Sequence, residues 1–334
     1  LKEKYKRKSQ PQTNENQMIN LEYGDVKLGI LPDVGGRIVS LQIKEGENLL
    51  KSDSKLWNQK KRPIPSPSNL DFKAYNGHEV WVGPQSLWWK RQNLNPEKFE
   101  STLFWPPDPY ISYGNYTTAV KDENYIVLNG EESPISGIRL TKNIIIGEYD
   151  MIDDCYNVII EAIAENIRKE PIAWDLWMIT RVNGHNLNFV PVSDEKNVSV
   201  SEPTHPHEGP APYKIEDGYF SFTPKKKDKE HKECTAKAFI TPSRPFIATL
   251  YGRDLMMIRF EHNDQKLLHP EQKEVEIYNF ATDEAETSLL ELEYHSPYKT
   301  IPPCSFIKTT EVWKIHRFEQ DVTESDVKTY LDKI

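Results

Sequence analysis

Cysteine is scarce in this chain: Cys155, Cys234 and Cys304 are the only three among 334 residues. They stand at no metal-like spacing, and so odd and sparse a set gives no disulfide framework. No run of about 18 apolar residues exists, so no segment is a candidate membrane-spanning helix. Positive charge is short as well, with 42 Lys and Arg against 51 Asp and Glu and a net charge of −9. Phosphate backbones select a basic face, so this charge argues against nucleic acid as a partner, and none is expected. There is no Gly-x-Ser-x-Gly, no P-loop and no dinucleotide fingerprint in the strand–helix context such motifs need. Apolar residues make up only 37%. The 36 aromatic residues (8 Trp, 16 Tyr and 12 Phe) supply large buried areas instead and make a folded core feasible.

The apolar pattern is that of strand after strand. Val26 to Leu31 and Arg37 to Ile43 flank the turn cluster Pro32-Asp33-Val34-Gly35-Gly36 and read as a hairpin. Asn48 to Leu50 reads as a short strand. Further strands are expected at 116–120, 125–128, 136–146, 156–167, 172–182, 218–222, 236–240, 246–250, 255–261, 274–280, 287–295 and 306–317. In the fourth of these, Val158, Ile160, Ala162 and Ala164 fall on one side. Many short strands with turn signals between them predict an all-β fold, a large antiparallel β-sandwich of two stacked sheets. One helix is expected, at the C-terminus, where Thr323 and Asp326 suit a cap and Val327, Tyr330, Leu331 and Ile334 repeat at helical spacing. The division expected is a flexible arm over 1–19, one sandwich domain over 20–320, and the helix over 321–334. The Lys-, Asn- and Gln-rich arm also fits a spacer behind a removed export signal, which favours an exported or periplasmic location.

Residues 51–109 break the pattern. They are rich in Pro, Asn and Trp and lack clean periodicity, and long irregular segments of this kind tend to carry function. Trp88 and Trp89 cannot both face inward if this stretch is extended, so one of them should be free for a ligand or for covering the loop. The other unusual stretch is Leu289 to Pro297. Residues two apart on a strand point the same way. Glu291, Glu293 and His295 therefore share one face, and Leu290, Leu292 and Tyr294 the other. That ionisable face is either the wet side of a sheet or the floor of a site. By the same rule Asp175, Trp177, Ile179 and Arg181 share a face, with a cross-face Asp175–Arg181 ion pair as the plain structural alternative. His205-Pro206-His207-Glu208 has a His-x-His spacing but no third ligand cluster, and reads as a rim loop rather than a metal site. Lys225-Lys226-Lys227 reads as a solvated hairpin tip. No metal and no cofactor are expected.

Three motifs then carry a resemblance. Leu31 to Leu41 has the form Pro-x-x-Gly-Gly-Arg-Ile before an apolar strand. Asn76-Gly77-His78-Glu79-Val80-Trp81 is a glycine-flanked histidine turn. Leu292-Glu293, a polar loop with Pro302-Pro303, and a Thr-Thr-Glu strand follow near the C-terminus. In this order they resemble the galactose mutarotase-like superfamily, which contains the aldose 1-epimerases. The texture at Gly77 to Pro84, Trp105 to Pro107 and Glu291 to Pro297 is most similar to an uncharacterised bacterial branch of it, known only as a domain of unknown function. The resemblance implies a mutarotase-like supersandwich over about Leu21 to Phe318 that binds a mono- or oligosaccharide.

It also implies roles. Mutarotation needs a base at the anomeric hydroxyl and an acid at the ring oxygen, with pKa values near neutrality. By position Glu293 is the base, and His78 is a sugar ligand or the acid. The family's second histidine is missing: Asp175 stands in its place on the strand and becomes a possible acid if burial raises its pKa. Arg181 would orient hydroxyls or the carboxylate of an acidic sugar. Trp81, Trp88, Trp89, Trp105 and Trp177 are candidates for an aromatic platform under a pyranose, with Glu291 and His295 as further ligands. Rival readings are a non-catalytic glycan-binding protein, or a polysaccharide lyase or glycoside hydrolase on the same fold.

Overall fold

The computed structural model describes residues 18–68, 71–201, 205, 208–226 and 230–334. The strands in chain order are β1 (Ile19–Tyr23), β2 (Val26–Leu31), β3 (Arg37–Ile43), β4 (His78–Gly83), β5 (Thr117–Lys121), β6 (Tyr125–Glu132), β7 (Ile138–Ile146), β8 (Tyr156–Asn166), β9 (Ile172–Asn183) and β10 (Leu187–Pro191). They continue with β11 (Val198–Val200), β12 (Tyr213–Glu216), β13 (Tyr219–Phe222), β14 (Glu233–Ile240), β15 (Phe246–Tyr251), β16 (Asp254–Arg259), β17 (Val275–Thr282), β18 (Leu289–His295), β19 (Lys299–Ile301) and β20 (Phe306–Arg317). Four short α-helices accompany them: α1 (Ser54–Trp57), α2 (Pro96–Glu100), α3 (Pro109–Tyr113) and α4 (Glu324–Leu331).

Two antiparallel ten-stranded sheets result. The first runs β1-β2-β3-β4-β9-β18-β17-β14-β11, with β19 also paired to β9; the second runs β12-β13-β10-β15-β16-β20-β8-β7-β6-β5. One apolar cluster fills the space between them, drawing Ile38, Met178, Leu292 and Ile277 from the first sheet and Ile144, Ile160, Met256 and Trp313 from the second. The alternation read in β8 is the observed one: Val158, Ile160, Ala162 and Ala164 face this core. The β-sandwich expected from the strand pattern is therefore the fold.

Several local expectations need correction. No strand forms over Asn48 to Leu50. The irregular stretch 51–109 contains β4, a 3₁₀ turn at Gln85–Leu87, and three short helices or parts of them. That turn explains why Trp88 and Trp89 are both buried: the chain is not extended there, so consecutive side chains need not face opposite ways. Of the arm expected over 1–19, residues 1–17 lie outside the described residues, as do parts of the 205–208 and 225–228 turns, and Ile19 begins β1.

β9 carries the key feature of the architecture. All but two of its twelve residues are buried, on both faces. A strand of an antiparallel sheet that shows one face to water alternates; a strand covered on both faces does not. One face of β9 meets the second sheet. The other is roofed by the Trp-rich segment after β4. The terminal helix α4, with its Thr323–Asp326 capping box, sets Val327 and Leu331 into a separate cluster with Phe189, Leu255 and Met257 of the second sheet.

Candidate functional site

Register aligns five strands of the first sheet. β18 pairs with β9 so that Glu291 faces Arg181, Glu293 faces Ile179 and His295 faces Trp177. β4 pairs with β9 so that Glu79 faces Ile179, Trp81 faces Trp177 and Gly83 faces Asp175. β17 sets Glu276 against Glu293 and Tyr278 against Glu291, and β14 sets Lys237 against Tyr278. Directly paired residues share a face. The outer face therefore gathers Glu79, Trp81, Asp175, Trp177, Arg181, Lys237, Glu276, Glu291, Glu293 and His295, while the next residue on each strand enters the core.

Those side chains, with Arg37 and Gln272, form two ion networks. In the first, Lys237 Nζ donates to Glu276 Oε2 at 2.7 Å and to Glu293 Oε2 at 2.9 Å. His295 lies 2.9 Å through Nδ1 from Asp175 Oδ2 and 3.6 Å through Nε2 from Glu276 Oε2. Gln272 Nε2 is 2.8 Å from the same Nδ1. Trp177 Nε1 donates to Glu293 Oε2 at 2.8 Å. In the second, Arg181 donates to Glu79 Oε1 and to Glu291 Oε1, both at 2.6 Å, and Arg37 donates to Glu79 Oε2 at 2.6 Å. The Lys237 and arginine bonds in these networks link a charge to a charge, the strong class of hydrogen bond.

Of the two alternatives for this face, a wet sheet side or the floor of a site, the structure shows a covered face. Glu293 and His295 are 0% exposed, and the roof is aromatic. Trp81 meets Trp177 edge-on with centroids 5.2 Å apart, and Trp88 stacks on Trp177 at 5.8 Å. Trp105, 45% exposed, closes the outer side against Trp81 at 5.9 Å. Two adjoining cavities of about 360 and 440 Å³, which share Lys44, Tyr149 and Tyr156, lie at one end of the sandwich away from Glu293.

Burial and charge set the protonation states. Burial pushes the Glu293 carboxyl up, and the negative charges of Glu276 and Glu291 add to this against the pull of Lys237, leaving it at about 7. Burial disfavours the imidazolium of His295, but Glu276 and Asp175 outweigh it and raise His295 to about 9. Burial also works against ionised Glu276, yet Lys237 and His295 hold it down at about 2. Lys237 stays above its ordinary value because Glu293 and Glu276 overcome its desolvation. A carboxyl that ionises near neutrality thus stands beside an imidazolium that persists above it. The ligating atoms of Glu276, Glu293 and His295 all lie within 4.8 Å of one another, which is metal-like spacing. Lys237, lodged between the two carboxylates, already supplies a positive charge there.

The structure does not bring all the expected residues together. His78 is corrected from a loop beside the tryptophans to the first residue of β4, on the opposite face. It pairs with Thr180, bonds to Thr180 Oγ1 at 3.0 Å and meets Trp313 edge-on at 5.1 Å in the inter-sheet core. Burial, with Lys142 nearby, holds its pKa well below the usual histidine range. Period-two geometry is the reason: Glu79, its neighbour, takes the outer face instead. Trp89 also leaves the site; its indole donates to Pro106 O at 2.8 Å. Asp175 and Arg181 do not pair with each other; Asp175 bonds to His295, and Arg181 bonds through Nη1 to Glu79 and through Nε to Glu291. Trp81, Trp88, Trp105, Trp177, Glu291 and His295 do assemble around Glu293. Sequence reading missed Lys237, Glu276, Gln272, Glu79 and Arg37. The alternation Glu274-Val275-Glu276-Ile277-Tyr278 was the available signal for Glu276, since it repeats the pattern of β18.

Comparison with known proteins agrees with the fold. No curated protein matches the chain by sequence. Among solved structures, the Slr1438 protein from Synechocystis sp. PCC 6803 matches with a TM-score of 0.56 at 11% identity, over 91% of this chain and 97% of that one. A Klebsiella pneumoniae protein provisionally assigned as an aldose 1-epimerase matches at 0.54 and 13% identity, over 95% and 82%. A galactose mutarotase-like protein from Clostridium acetobutylicum matches at 0.50 and 12% identity, over 90% and 95%. At such identities the likeness is one of architecture: the galactose mutarotase-like sandwich. The family model "Domain of unknown function (DUF4380)" matches residues 16–316, and the chain belongs to that family.

Proposed function

We propose that the outer face of the first sheet binds a mono- or oligosaccharide and catalyses interconversion of sugar anomers, with Glu293 as the base and His295 as the acid. The observation that carries this reading is the Glu293–His295 pair itself. One group gives up its proton near pH 7 and the other keeps its proton to about pH 9, and their ligating atoms lie within 4.8 Å. Ring opening needs a base to take the anomeric hydroxyl proton while an acid delivers one to the ring oxygen; return of both protons closes the ring on the other face. Asp175 acts on the acid rather than as the acid: its bond to Nδ1 fixes the imidazole and sustains its charge. Trp81, Trp88, Trp105 and Trp177 supply flat apolar surface of the kind a pyranose C–H face packs against.

A second reading, a glycan-binding protein without catalysis, is favoured by the complete burial of Glu293. A panel of aldoses separates the two. Freshly dissolved α-anomers should lose optical rotation faster with the protein than in buffer, and Trp fluorescence should shift with the same sugars. A fluorescence shift with an unchanged rotation decay means binding alone. No response in either signal contradicts both readings.

A further inference from the structure

Lys237 is an outsider in the network it completes. Its side chain is 21% exposed, whereas those of Glu276 and Glu293 are 4% and 0% exposed. The lysine therefore reaches in from the solvent side and sets its ammonium into a receptor that the other strands have built. That receptor has two carboxylate oxygens at 2.7 and 2.9 Å and the Trp177 ring beneath, 4.7 Å from Nζ to centroid. Paired carboxylates over an indole face are how a compact ammonium group is recognised.

Besides the unpartnered ring nitrogens His295 Nε2 and Trp81 Nε1, three free valences at the site point the same way. Glu293 Oε1, Asp175 Oδ1 and Gln272 Oε1 are buried and unpartnered. All three are acceptors, so a ligand reaching them must donate. The cations nearby already face carboxylates: Arg181 bonds to Glu79 and Glu291, and His295 to Asp175 with its Nε2 3.6 Å from Glu276 Oε2. Lys237 is the cation that offsets the paired carboxylates of Glu276 and Glu293. An acidic sugar would put a further negative charge beside them; a protonated amine in the place of Lys237 keeps the same charge balance.

We propose that Glu276, Glu293 and Trp177 form a recognition site for the primary ammonium group of a ligand, filled in this structure by Lys237 of the chain itself, and that the preferred ligand is an amino sugar. The idea rests on the sugar-binding reading of the same face and narrows it to a substrate class. Entry of the ligand amine displaces Lys237 toward solvent. The lysine thus competes with its own ligand and lowers the apparent affinity by the fraction of time it occupies the site.

Trp fluorescence titrations test this on the wild-type chain and on Lys237→Met, which keeps the apolar stem and removes the charge. The probes are glucosamine, N-acetylglucosamine, glucose, glucuronate, ethylammonium and zinc ion. Wild type should bind glucosamine tighter than glucose or N-acetylglucosamine and should ignore glucuronate. Lys237→Met should bind glucosamine about tenfold tighter than wild type does, because the competitor is gone, and should gain thermal stability from ethylammonium. Glucosamine binding no tighter than N-acetylglucosamine in wild type overturns the inference, whatever becomes of the variant. If glucose binds all the same, the sugar reading survives that failure. If ethylammonium acts while no sugar binds, the ammonium site stands and the sugar reading falls. Tight zinc binding to the variant without any response to amines assigns the cluster to a metal and also overturns the proposal.

Discussion

Asp175 and Glu311 are both buried carboxylates, and their surroundings give them opposite tasks. Asp175 has a cationic partner, His295, at 2.9 Å. Replacing it with Asn removes a negative charge beside the imidazolium, so the His295 pKa falls from about 9, by about one pH unit or more. In Asp175→Asn the alkaline limit of the pH–rate profile should move down correspondingly while the acidic limit, set by Glu293, stays. A purely structural role would lower the rate at every pH and leave both limits in place. Among the described residues Glu311 bonds to the Trp313 indole alone, at 3.2 Å, and burial pushes it up to about 8. Its folded pKa lies above its unfolded one. Between about pH 4.5 and 8 the native state therefore holds a proton that the unfolded state has lost, and stability falls with rising pH by at most about 1.4 kcal/mol per pH unit from this group. Glu311→Gln should flatten that decline. Urea melts at pH 5 and pH 8 check it; equal pH dependence in the two proteins would refute the assignment.

At the scale of elements, the end of β4 is tied to the site through Gly83. A Cβ there would sit 2.2 Å from Gln272 Nε2 and 2.3 Å from Asp175 Oδ1. Gly83→Ala must push both groups away from His295, at a stability cost of about 1–3 kcal/mol for overpacking. Thermal melts should show the loss, and the rate should fall with it; an unchanged melting point would mean the strand end is loose. The elements also show what could be read from sequence. Alternation in β18 was legible, since Leu290, Leu292 and Tyr294 leave Glu291, Glu293 and His295 no choice but the other face. The face of His78 was not, because it depends on where β4 begins. The turn at Asn76 and Gly77, with φ of 57° and 71°, ends one residue before it and sends His78 into the core. Lys237 was not legible either. In β14 it looks like any outward residue between Thr235 and Phe239, and only the cross-strand register through β17 brings it to Glu293. Pairing across strands far apart in sequence is a tertiary fact that local pattern does not encode.

For the whole molecule, the two-sheet architecture explains how so many charges come to lie in dry surroundings. The inter-sheet core covers one face of the central strands and the tryptophan roof covers the other, so the outer ion networks sit in a low dielectric where partners matter more than in water. Removing one partner of such a network leaves a buried charge uncompensated, which is why the network behaves as a unit with the fold. The terminal helix α4 belongs to a different part of that whole. Deleting 321–334 would uncover Phe189, Leu255 and Met257 and remove Val327 and Leu331 from their cluster, each worth about 1.5–3 kcal/mol when fully buried. The shortened chain should unfold at lower urea concentration yet keep the optical properties of the tryptophan roof. Loss of the roof signal along with the helix would mean that the second cluster and the site are one cooperative structure.

The claim on which the account turns is that Glu293 and His295 work as base and acid on a sugar. The measurement that tests it most directly is the rate of anomer interconversion, followed by polarimetry from pH 5 to 10 for the wild-type chain and for Glu293→Gln. The account predicts a bell-shaped wild-type rate, rising through about pH 7 as Glu293 ionises and falling through about pH 9 as His295 loses its proton, with the variant at the buffer rate throughout. A wild-type rate equal to buffer at every pH, or full activity in Glu293→Gln, would contradict it.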